Sequence, residues 1–273
     1  MLMAQQFDFV SEAIHIVENA QQHGLTLRVL GATAFRIHCP DHVHVHISMG
    51  REVTDIDFAG YSKEGEKIEK FLSQDQFQSE RHQASLTPGL FIGRHIYENP
   101  QTGLHVDIFE DELNMCHVVN FRNRLHLDYP TITLADLALE KFQIVTLNEK
   151  DVRDMLMLFA AHPVGDTEKE TINGKYIADI MSRDWGFYYT TTMNLGKIRK
   201  GLERYKDLFT AHDNQNILDR ITHLEQMIER APKSLKWKGR AAIGPRVQWY
   251  NDVEEVERAE HLQNLDELQH RII

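Results

Sequence analysis

Three aspartates set in two short apolar frames constrain this chain more than any other feature. Asp55 and Asp57 lie in Val53-Thr54-Asp55-Ile56-Asp57-Phe58, and Asp107 lies about fifty residues on, in Leu104-His105-Val106-Asp107-Ile108-Phe109. Both frames read as strands. Side chains alternate faces along a strand, so Asp55 and Asp57 point the same way with Ile56 and Phe58 behind them, and a second strand can bring Asp107 alongside. Three carboxylates crowded at one sheet edge repel one another and resist full ionisation, which a divalent cation relieves. That points to metal-dependent phosphate chemistry. For each aspartate taken singly, the plainer alternative is a solvated strand cap or a loop anchor.

Upstream, Leu27-Arg28-Val29-Leu30-Gly31-Ala32-Thr33-Ala34-Phe35-Arg36 reads as an apolar strand, a glycine turn and the start of a helix. Glycine at such a junction lets backbone amides approach a phosphate, and the N-terminus of the following helix favours the anion. Thr33 adds a hydroxyl donor.

A glycine turn entering a helix, then Asp-x-Asp on a strand, then a third Asp on a later strand is an order that resembles the nucleotidyltransferase superfamily, with its DNA polymerase beta-like fold. The likeness is greatest to the minimal and abortive-infection-type bacterial members. The stretch Leu134-Ala135-Asp136-Leu137-Ala138-Leu139-Glu140-Lys141, followed by Glu149-Lys150-Asp151-Val152-Arg153-Asp154, is similar to a later pair of helices in that family. These motifs cover residues 27 to 158. The resemblance implies an α+β fold: a nucleotidyltransferase-like mixed sheet with flanking helices, followed by an all-helical C-terminal domain. It also implies transfer of a nucleoside monophosphate from an NTP to an acceptor hydroxyl or phosphate. Asp55, Asp57 and Asp107 would be catalytic and would bind two Mg2+ ions, or Mn2+ in their place. Gly31, Ala32, Thr33 and Lys141 would bind the nucleotide. The acceptor stays open among RNA, protein and a small molecule, and family analogy adds a cognate antitoxin as a partner. Two departures point to weaker or altered triphosphate binding. Ala32 stands where the family prefers a second Gly or a Ser, and the gap from Gly31 to Asp55 is longer than in the smallest members.

At 273 residues the chain is long enough for two compact domains, expected over 1–162 and 163–273 with a boundary near His162-Pro163-Val164-Gly165-Asp166. No apolar run approaches the roughly 18 residues needed to span a bilayer, so no membrane partner is expected. The opening Met1-Leu2-Met3-Ala4-Gln5-Gln6-Phe7-Asp8 has neither a basic region nor an apolar core of the kind a cleaved secretory signal needs. Two cysteines, Cys39 and Cys116, suggest no disulfide framework, and the expected compartment is the cytoplasm. A net charge of -11 argues against non-specific coating of nucleic acid.

Periodicity predicts an opening helix over 7–22, then strands near 26–30, 43–48, 53–59, 90–97 and 103–109. The last two form a hairpin about Asn99-Pro100-Gln101-Thr102-Gly103. Helices are predicted over 62–72, 75–83, 133–145, 148–161, 174–182, 186–208, 213–230 and 252–270. On the strand at 43–48, His42, His44 and His46 would share one face and could hold zinc or nickel; a polar outer strand face is the preferred account. Lys141 either snorkels from a packed surface or, as the family resemblance has it, reaches the triphosphate. Asp151, Arg153 and Asp154 match the family's later acidic motif, but solvated helix charges or an interhelical ion pair is the preferred account of them. The segment from Lys233 through Lys236, Trp237, Lys238, Arg240 and Arg246 to Trp249 and Tyr250 contains no acidic residue. It reads either as a polyanion-binding surface or as a structural loop whose tryptophans pack inward. A function from another class also fits: a catalytically weak nucleotide-binding or protein-interaction module on the same fold.

Overall fold

The computed structural model describes residues 8–48, 53–80 and 93–253. Helix α1, Phe9–Gln22, starts where the Asp8 carboxylate accepts the Ser11 amide at 3.2 Å, and it buries Ala13, Ile16, Val17 and Ala20 at helical spacing. Strand β1, Leu27–Leu30, runs directly into α2, Gly31–His38. A short turn then leads to α3, Val43–Ser48. Strand β2, Asp55–Gly60, carries the first two aspartates and is followed by α4, Gly65–Gln74. Strands β3, Gln78–Glu80, β4, Arg94–Asn99, and β5, Leu104–Glu110, complete a five-stranded sheet of order β1-β2-β5-β4-β3. The β2–β5 pair is parallel and the other three are antiparallel, so the sheet is mixed.

The β4–β5 hairpin turns where its sequence predicts. Gly103, at φ +70°, donates to the Asn99 carbonyl at 2.8 Å, and the Asn99 side chain caps the Gln101 amide at 3.0 Å. A small hairpin follows, β6, Glu112–Asn114, and β7, Val118–Asn120, which the sequence pattern does not announce.

After β7 the chain returns along the free side of β1: Val29 donates to the Pro130 carbonyl and accepts from the Ile132 amide, each at 3.0 Å. This pairing sets α5, Leu134–Phe142, beside the β1–α2 junction. Every residue of α5 is buried, including Asp136, Glu140 and Lys141. Asp136 is held by Arg124 Nε at 2.8 Å to both carboxylate oxygens, and burial still pushes its carboxyl up to about 6. Helix α6, Glu149–Ala161, opens on a capping box from Asn148 and Asp151. Next come a two-residue parallel ladder, β8, Val164–Gly165, with β9, Ile172–Asn173, and helices α7, Gly174–Arg183, α8, Trp185–Tyr205, α9, Ala211–Arg230, and α10, Leu235–Ile243. One hydrophobic cluster runs from the sheet through α5 and α6 into α7 to α9. Among the described residues no helix is long and apolar enough to cross a membrane. Cys39 and Cys116 are both free thiols.

The chain is therefore a mixed α/β protein, and four expectations need correction. Residues 43–48 form a helix, not a strand: Pro40 starts a helical turn that continues into α3, and six alternating residues satisfy either period. Residues 75–80 do not form a helix, because Gln76 at φ +68° ends α4 and Gln78–Glu80 pair with β4, and the rest of the helix expected over 75–83 lies outside the described residues. The second half is not wholly helical, since β8 and β9 precede α7. The basic segment at 233–250 contains α10 where no helix was predicted. The helix expected over 252–270 lies beyond the described residues from Glu254 onward, as does the start of the strand expected at 90.

Candidate functional site

The two aspartate frames are neighbours in the sheet. In the parallel β2–β5 register Asp57 stands opposite Asp107 and Asp55 opposite His105, so strand alternation gives Asp55, Asp57 and Asp107 one common face. Ile56, Phe58, Val106 and Ile108 fill the other face and are fully buried. Exposure grades across the carboxylates: Asp55 is open, Asp57 half-buried and Asp107 7% exposed. Burial, then the charges of Asp55, Glu140 and Asp107, push the Asp57 carboxyl well above the usual carboxylate range, with Lys141 opposing them.

The glycine turn abuts this face. Leu30 pairs with Asp57 across β1 and β2, and Gly31 follows at φ +68°. A side chain on Gly31 would place its Cβ 2.2 Å from Asp57 Oδ2, so both backbone conformation and space require glycine. Beyond it, Ala32 is half-buried, and Thr33 is 1% exposed with an Oγ1 that finds no hydrogen-bond partner. The Gly31 amide donates to Glu140 Oε2 at 3.0 Å.

Arg94, on β4, donates to Asp107 Oδ2 from Nε at 3.0 Å and from Nη2 at 2.5 Å, with its guanidinium over the Phe109 ring. It is a site residue that the sequence reading missed. Arg94 falls on the strand before the hairpin, and only the β4–β5 register brings it to Asp107.

Lys141 takes a place that neither sequence reading described. Its Nζ lies 3.1 Å from Glu140 Oε1 and 3.3 Å from both Asp151 Oδ1 and Asp154 Oδ2, enclosed between α5 and α6. Asp154 accepts in turn from His46 Nε2 at 2.7 Å, and Arg36 Nε donates to His46 Nδ1 at 3.4 Å. His46 and Asp154 are fully buried, and Glu140, Lys141 and Asp151 nearly so. Asp151 and Asp154 are thus an interhelical ion pair with Lys141, one of the two alternatives the sequence left open.

The helical geometry of α3 disperses the three histidines. His46 points into the cluster just described, His44 bonds the Leu208 carbonyl at 2.9 Å, and His42 lies 3.8 Å from Asp213. Among the described residues no group of three or more His, Cys, Asp or Glu side chains is gathered as a ready-made metal centre. In the basic segment, the packing reading applies to the aromatics and to Arg240. Trp237 Nε1 donates to the Met181 carbonyl at 2.9 Å and Trp249 Nε1 to Thr190 Oγ1 at 3.0 Å. Arg240 lies over the Trp185 ring and donates to the Gly244 and Val247 carbonyls at 2.6 Å each. Lys236 and Lys238 stay exposed.

No protein-family model and no curated protein matches the chain.

Proposed function

We propose that the protein is a metal-dependent nucleotidyltransferase, transferring a nucleoside monophosphate from an NTP to an acceptor. The supporting observation is the register that sets Asp57 beside Asp107, with Asp55 two residues away on the same face and the Gly31 turn pressed against Asp57. The donor set fits a hard divalent cation. It consists of carboxylate oxygens, and burial first, then the neighbouring carboxylates, raise the proton affinity of Asp57, which a bound cation would offset. Asp55, Asp57 and Asp107 would hold Mg2+ or Mn2+, which supplies charge neutralisation for the attacking and leaving oxygens of an in-line displacement at the α-phosphorus. The chain's own groups do the rest. Arg94 fixes Asp107 through Oδ2, leaving Oδ1 to orient the acceptor and take its proton. The first-turn amides of Ala32 and Thr33, with the buried Thr33 hydroxyl, would meet the phosphates while the Gly31 amide stays on Glu140. In this reading the mixed sheet and its flanking helices would form a nucleotidyltransferase-like fold, with pyrophosphate as the leaving group.

A second reading, a nucleotide-binding module without turnover, is favoured by one feature. Lys141 is enclosed by three carboxylates, so the cation that the family resemblance directs to the triphosphate is already engaged. Incubation with each of the four α-labelled NTPs, Mg2+ or Mn2+ and a cell extract separates the two. Transfer of label by the wild type and none by Asp57→Asn supports the enzyme. NTP binding without transfer supports the module, and neither binding nor transfer rejects both.

A further inference from the structure

Glu140 takes no part in the chemistry proposed above, and the sequence gives it no motif role beyond neighbouring Lys141. Its carboxylate nevertheless joins the two polar centres of the molecule. Oε2 accepts the Gly31 amide at 3.0 Å and Oε1 lies 3.1 Å from Lys141 Nζ, in a side chain 9% exposed. Gly31 is the residue at which an added Cβ would lie 2.2 Å from Asp57 Oδ2. One backbone unit is therefore held from both sides, by Glu140 on its amide and by the Asp57 carboxylate against its Cα.

We propose that Glu140 is a positioning residue for the candidate site, bracing the Gly31 turn so that Asp57 and the first-turn amides of α2 keep their mutual placement. The location has a cost that structure alone does not require. A carboxylate in a nearly dry setting is unfavourable unless it is paired and hydrogen-bonded. Lys141 supplies the charge and Gly31 supplies the hydrogen bond. An apolar residue there would pack against α2 without either, but the Gly31 amide would then be buried without a partner and the turn would be free to shift. Lys141 matters here through Glu140: it neutralises a negative charge that would otherwise stand at the α2 N-terminus, where a phosphate is expected.

This inference rests on the nucleotidyltransferase reading for its effect on nucleotide, but not for its effect on the turn, so the experiment has two parts. Glu140→Gln keeps an oxygen acceptor at the same reach, Glu140→Asp keeps the charge but shortens the reach, and Glu140→Ala removes both. Amide exchange followed by NMR should show Gly31 and its neighbours losing protection in Glu140→Ala and Glu140→Asp, and regaining it in Glu140→Gln, with α1 and α9 unchanged. The dissociation constant for Mg2+·ATP should rise about tenfold or more in the Ala and Asp variants, the scale of one hydrogen bond to a charged group, and stay close to wild type in Gln. Should Glu140→Ala fail to fold, the contrast between Asp and Gln carries the same information. Equal Gly31 protection in the wild type and in Glu140→Asp would overturn the proposal. Tighter Mg2+·ATP binding in Glu140→Ala would also overturn it, because Glu140 would then be a competitor of the phosphates. A wild type that binds no NTP would instead reject the functional reading, and the exchange data would still decide whether Glu140 braces the turn.

Discussion

The aspartate face of the sheet and the cluster around Lys141 are built from the same residue types to opposite effect. Each carries three carboxylates. In the cluster, Glu140, Asp151 and Asp154 surround one lysine, His46 takes a further oxygen of Asp154, and all of it is buried. On the face, one arginine engages Asp107 while Asp55 stands open and Asp57 sits between, with its carboxyl pushed toward the protonated form. A closed, compensated set serves as architecture. An open set with surplus negative charge is where the proposed function would seat a cation.

The sharpest way to break this contrast is to remove the compensating charge. Lys141→Met leaves the buried Glu140, Asp151 and Asp154 without the cation they share, and stability from urea unfolding should fall by about 3–5 kcal/mol. A loss below about 1 kcal/mol would mean that the cluster is solvated and the contrast false. Next in size is Gly31→Ala, which combines a strained positive φ with a Cβ driven against Asp57 Oδ2. A cost of about 2–3 kcal/mol is expected, together with weakened cation binding.

Acid sensitivity separates both sets from a third kind of buried polar group. Burial holds the imidazoles of His38 and His117 down at about 4. Their folded-state values lie below the unfolded value, so the stability they confer is complete above about pH 6.5 and is lost as pH falls toward 4. Replacing either one with Gln should flatten the fall in stability between pH 7 and pH 4.5 by on the order of 2 kcal/mol. An unchanged slope would assign the acid lability to the carboxylates instead.

Much of the aspartate face is legible in the sequence alone. Strand alternation around Asp55, Asp57 and Asp107, the Gly31 junction and the Asn99–Gly103 turn are local patterns, and they folded as their chemistry dictates. The residues that complete the picture, Arg94, Glu140 and His46, were not legible, because each reaches its partner through register or helix packing. His46 meets Asp154 across 108 residues, and Glu140 meets Gly31 across 109. The 43–48 alternation misled because a run that short fits strand and helix alike, and the chain's next contacts, not its own period, chose helix.

The smallest stability effect belongs to the site itself, and its sign is the telling part. Asp57→Asn should leave the melting temperature unchanged or raise it, since one of several crowded charges disappears. A large drop would make Asp57 a structural residue. The most direct test of the central claim is therefore to titrate Mn2+ into the wild type and Asp57→Asn, following bound metal and melting temperature together. Saturable binding that stabilises the wild type, with both effects lost in an Asp57→Asn protein that melts no lower than the wild type, is the predicted result. Equal binding by the two proteins, or no binding by either, would contradict it.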